Sequence, residues 1–141
     1  VLSSGFEDAL GGALPGPRYS ESSGAGGYFG VDRNIGAART GTSNGWIATN
    51  GSSWNALKQS IRVAARGNYR LTVWVRASSN LTGGYLRVRT TSGTLIAEQS
   101  HSAAAGYTQY IVDFSSGTQT TVLVHMGSGA MEAPPGSEWM T

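Results

Sequence analysis

The 141-residue chain reads as all-β, a sandwich of two antiparallel sheets. Three observations predict it. Short segments alternate apolar and polar residues, which places one face in a core and the other outside. Turn signals rich in Gly, Ser and Asn separate those segments, and no long helical periodicity interrupts them. Gly is abundant, with 21 copies, while charged residues make up only 13%. A chain of this length fits one domain with a full core. We therefore read residues 1–141 as a single unit without repeat or linker.

The elements follow in order. A short strand is expected around Leu2–Phe6, and Pro15-Gly16-Pro17 argues against regular structure just beyond it. Tyr28–Asp32 reads as a strand with Phe29 and Val31 inward. Trp46–Thr49 is the next, closed by the turn signal Asn50-Gly51. In the segment after it, Leu57, Ile61 and Val63 share one parity, and Trp54, Lys58 and Arg62 share the other. Tyr69, Leu71, Val73, Val75 and Ala77 then alternate with Arg70, Thr72, Trp74 and Arg76. Leu86 and Val88 alternate with Tyr85, Arg87 and Arg89. Turns at Arg66-Gly67-Asn68 and Thr82-Gly83-Gly84 separate these three strands. Leu95–Glu98 follows the Ser92-Gly93 turn. Tyr107–Phe114 carries Tyr110, Val112 and Phe114 on one face. Val122, Val124 and Met126 form the inner parity of the next strand, and the tail enters one more at Trp139.

The outward parities are unusual. Across the three central strands they hold Trp54, Trp74 and Tyr85, with six of the ten basic residues. Nine of the ten are Arg, whose planar fork pairs with carboxylates and polyols and stacks on rings. Sugars lay patches of C–H bonds on such rings and need donors around the rim. Trp74, Tyr85, Arg76, Arg87, Arg89 and Trp54 are therefore the candidate ligand-binding residues. A second reading stands beside it: the rings pack across strands under loops, and Arg stems cover them.

Other chemistries find little support. A net charge of +2 is too small to imply nucleic-acid binding. No apolar run is long enough for a membrane span, no signal peptide is visible, and the absence of Cys removes thiolate metal sites. Gly41-Thr42-Ser43-Asn44-Gly45 matches a nucleophile elbow, but that motif needs a helix after it. Gly24–Gly27 opens no helix, so it does not suit a phosphate loop. The acids are scattered rather than paired, although a small lyase or hydrolase on a β-scaffold could gather them in space.

In chain order, GFED, ARTG, NGWIAT, GSSWNALKQSIRV, NYRLTVWVRASS, GGYLRVRT, GYTQYIVDF and TTVLVHMG resemble a class of jelly-roll carbohydrate-binding modules. These belong to the galactose-binding-like superfamily and are appended to secreted bacterial polysaccharide-degrading enzymes. The resemblance implies a jelly-roll β-sandwich, a noncatalytic role, a polysaccharide partner and an extracellular location. The Arg-rich rim makes a uronate-containing glycan the sharper expectation. The resemblance also implies a structural calcium near Glu7 of the GFE motif, with Asp32 as a candidate second carboxylate. Such modules usually end in a further strand bearing Asp, so the chain is expected to lack it or to take it from a neighbour. An open edge there would invite self-association. A structural or adhesive sandwich that mediates assembly is the alternative function.

Overall fold

A computed structural model describes residues 6–7, 19–23, 27–50, 55–81, 83–128 and 137–140. Every regular element among them is a strand. These are β1 (Tyr19–Ser23), β2 (Gly27–Arg33), β3 (Ser43–Asn50), β4 (Asn55–Arg62) and β5 (Asn68–Ala77). β6 (Gly84–Thr90), β7 (Leu95–His101), β8 (Ala104–Ser115), β9 (Thr121–Ser128) and β10 (Ser137–Met140) complete the set. They form two five-stranded antiparallel sheets. Sheet A has the order β1-β4-β9-β6-β7, and sheet B the order β2-β3-β10-β5-β8. This is the expected sandwich.

Inward parities meet between the sheets. Leu57, Leu86, Val88 and Val122 from sheet A pack with Ile47, Val75 and Val112 from sheet B, all of them buried. The alternation along β5, β6 and β9 thus does what a half-buried strand requires. Hairpin turns use the residues their geometry demands. Gly93 takes φ 96° between β6 and β7, where Thr90 N donates to Thr94 O at 2.8 Å and Gly93 N donates to Thr90 O at 3.0 Å. A side chain there would be strained.

Several expectations are adjusted. β1 was not anticipated, and the Leu2–Phe6 strand lies outside the described residues except for Phe6, which sits in a bend. Val31 is buried, but Phe29 is 42% exposed. Among the described strands, β2 lies at one edge of sheet B with β3 as its neighbour. β8 starts three residues before the expected Tyr107, after a shift of register between Val75 and Ala77. The tail strand forms as β10, wedged between β3 and β5, with Trp139 opposite Ala48 and Met140 opposite both Ile47 and Ala77.

Candidate functional site

The outward face of sheet A is built from β4, β9, β6 and β7. Cross-strand register sets one row of side chains directly against the next. Lys58 on β4 stands opposite His125 on β9, and His125 stands opposite Arg87 on β6. Arg87 in turn faces Glu98 on β7 and forms an ion pair with it. One row over, Ala56, Gly127, Tyr85 and Ser100 line up in the same way. Arg89 follows on the far side of Arg87 along β6. Residues on one face that oppose each other across strands have Cβ atoms close enough to interact.

Tyr85 lies over Gly127, where any Cβ would collide with its ring. The Arg87 guanidinium lies over the ring, 3.8 Å from its centroid. Tyr85 is consequently only 5% exposed, and that burial pushes its phenol pKa up, opposed by Arg87 and Arg89. The ring is the floor of the site rather than an open platform.

His125 sits among cations. Burial, with Arg89, Lys58 and Arg87 around it, pushes its pKa down to about 4. Its Nε2 is sealed from water and makes no hydrogen bond. The face can therefore offer fixed positive charge and planar donors to an anion, with a neutral imidazole at its centre.

The structure separates residues that the strand pattern had grouped. Tyr85, Arg87 and Arg89 share the outer face of sheet A. Trp74 and Arg76 belong to β5, so they lie on the outer face of sheet B, on the other side of the sandwich. A single platform joining Trp74 to Tyr85 is not formed, because the chain changes sheets between β5 and β6. Trp74 is 38% exposed, and Arg39 from the β2–β3 connection lies over its ring at 3.6 Å. Arg76 lies 5.3 Å from the centroid of Tyr107. Tyr107 in turn donates its hydroxyl to Ala37 O at 2.9 Å, so the connection is tied across the strands of sheet B. The arginine-over-ring packing weighed from the sequence occurs on both faces. Trp54 lies outside the described residues.

Glu7 is held by the start of β3. Thr42 N donates to Oε1 at 3.0 Å, Thr42 Oγ1 to Oε2 at 2.7 Å, and Ser43 N to Oε1 at 2.9 Å. These bonds, the Thr42 hydroxyl foremost, lower its pKa. Gly41 turns at φ 70°, and a Cβ there would strike the Glu7 carboxylate. Phe6 packs on Gly45, so the two consecutive residues clasp the beginning of β3. A calcium ion needs six to eight oxygen ligands. The Glu7 oxygens already accept three donors, Asp32 stands opposite Asn44 on β3, and no group of three acidic, His or Cys side chains gathers among the described residues. Among the described residues, the Glu7 carboxylate is thus engaged in a hydrogen-bonded clasp.

Neither Lys58 nor His125 is among the candidate binding residues read from the sequence. The missing signal was register, since alternation reveals which way a side chain points and not what it faces.

No family model matches the sequence, and no curated protein matches it. The fold, however, is shared with solved structures. TmCBM61 in complex with beta-1,4-galactotriose superimposes with a TM-score of 0.60 at 15% identity, over 92% of this chain and 92% of that one. The CBM22-1 xylan-binding domain from Paenibacillus barcinonensis Xyn10C gives a TM-score of 0.60 at 14% identity, over 96% and 86%. The enzymatically active domain of bacteriophage CBA120 tailspike protein 4 gives 0.62 at 10% identity, over 88% of this chain. The chain spans only 18% of that tailspike structure. At these identities the likeness shows the fold alone, a β-sandwich of two antiparallel sheets.

Proposed function

We propose that the chain is a noncatalytic carbohydrate-binding module of a secreted protein. It carries an attached polysaccharide-degrading enzyme to its substrate, and the outer face of sheet A receives a uronate-containing glycan. The observation that carries this reading is the Lys58–His125–Arg87 row beside Tyr85 and Arg89, a cationic face with an aromatic floor. Support for the glycan comes from the fold, which this chain shares with a galactotriose complex and a xylan-binding domain. Charge-assisted hydrogen bonds from Arg to a carboxylate outweigh those to a neutral hydroxyl, so the face favours acidic sugars. Isothermal titration with acidic and neutral oligosaccharides of equal length tests the reading. Acidic sugars are expected to bind more tightly, with an advantage that shrinks as salt is added. Equal affinity at all salt concentrations would remove the uronate preference, and the absence of any glycan binding would remove the module itself.

The calcium implied by the family resemblance is a separate proposal, at Glu7 and Asp32. It expects a chelator to lower the melting temperature. The clasp at Glu7 expects instead that chelator and added calcium leave melting unchanged, while Glu7→Ala lowers it by leaving Thr42 N and Ser43 N without their acceptor. Thermal unfolding of both proteins, with calcium and with EDTA, decides between them.

A further inference from the structure

We propose that His125 is the specificity-determining residue of this face for a carboxylated glycan, and that it takes up a proton as a ligand carboxylate docks over the Lys58–His125–Arg87 row. The inference rests on the sheet A reading above.

Its basis is position. Neighbouring strands lie about 4.8 Å apart, so a carboxylate that reaches for both Lys58 and Arg87 arrives over the imidazole between them. The charged and titratable groups facing His125 can be named strand by strand. From β4 come Lys58, directly opposite, and Arg62 further along. From β6 come Arg87, directly opposite, with Tyr85 and Arg89 on the diagonals. Glu98 on β7 is the acid on this face among the described side chains, and it is engaged by Arg87. In the free protein burial first, and the positive charge of Arg89, Lys58 and Arg87 second, keep the His125 ring neutral, with Nε2 sealed and unpartnered.

A ligand carboxylate offsets the cationic part of that shift and supplies the counter-charge for an imidazolium. Proton and carboxylate then bind with reciprocal coupling. The sign follows from the two protonation equilibria. In the free chain the ring stays neutral until pH falls to about 4. In the complex the added negative charge raises its pKa, up to the ordinary value of about 6.5 at most, since burial persists. Between those limits binding consumes a proton, so affinity rises as pH falls, by up to about tenfold per unit of pKa recovered. Above that window the effect is absent. A simple carboxylate remains ionised to about pH 4, so the ligand keeps its charge throughout.

The experiment is isothermal titration of the full chain with trigalacturonate and with galactotriose. Each is run near pH 7 and near pH 5, in buffers of different ionisation enthalpy. Trigalacturonate is expected to bind at least about fivefold more tightly near pH 5, with net proton uptake. Galactotriose should show neither effect, and His125→Gln should abolish the response to pH. If that variant does not fold, the His125 Cε1 proton followed by NMR in the unmutated chain must show a higher pKa when trigalacturonate saturates the site. The inference is overturned if trigalacturonate binds equally at both pH values without proton uptake, or if His125→Gln keeps the pH response. Binding of galactotriose alone leaves a glycan site and removes the role of His125. Failure of both sugars to bind removes the sheet A reading along with it.

Discussion

Arg87→Ala is expected to weaken binding of an acidic oligosaccharide by about 10- to 100-fold, the equivalent of one lost charge-assisted hydrogen bond at about 1.5–3 kcal/mol. Three consequences act together. The ligand carboxylate loses its forked donor. Glu98, now without its ion-pair partner, leaves a negative charge on the face and repels an acidic ligand. The Tyr85 ring, which Arg87 covers at 3.8 Å, is uncovered and becomes available for stacking. A neutral oligosaccharide should therefore keep its affinity or gain, and the ratio of acidic to neutral binding should collapse. Arg87→Lys should fall between the two proteins, because an ammonium keeps the charge but supplies neither the planar fork nor the flat cap. Titration of all three proteins with both sugars measures the ratio. A ratio unchanged in Arg87→Ala would mean that Arg87 serves only to pack Tyr85.

The double duty of Arg87 also shows where sequence stops being legible. Alternation along β6 correctly put Tyr85, Arg87 and Arg89 on one outer face and Leu86 and Val88 in the core. The same rule put Trp74 and Arg76 on an outer face of β5, and that too is observed. What alternation does not encode is which sheet a strand joins. β5 and β6 follow one another in the chain, yet they enter opposite sheets, so two faces were merged into one. Likewise, Lys58, His125 and Arg87 meet only because β9 inserts between β4 and β6. That pairing is made by residues far apart in sequence and is settled by core packing, not by local pattern. The fate of each ring was open for a similar reason. Arg39 reaches Trp74 from a connection whose path over sheet B leaves no periodic trace.

One more close approach was invisible in the sequence and governs stability. Gly84 begins β6 with its inward side against His101 of β7, and a Cβ on Gly84 would collide with that ring. His101 is 8% exposed. Its ring packs against Tyr110 of sheet B with centroids 4.9 Å apart, so it is hemmed in from both sheets. Gly84→Ala must displace the imidazole, and overpacking of this kind costs about 1–3 kcal/mol. For a domain of this size that lowers the melting temperature by roughly 3–10 °C. Gly106→Ala provides the contrast: it also lies in a strand, but its Cβ would meet nothing, and removing a glycine there should change stability little or raise it. The cause can be isolated with His101→Ala. If the collision is responsible, Gly84→Ala costs clearly less in the His101→Ala background than alone, a non-additivity that a double-mutant cycle reads directly by thermal or denaturant unfolding. Strict additivity would place the cost in the β6 backbone instead, and the packing of His101 between the sheets would then contribute little to holding them together.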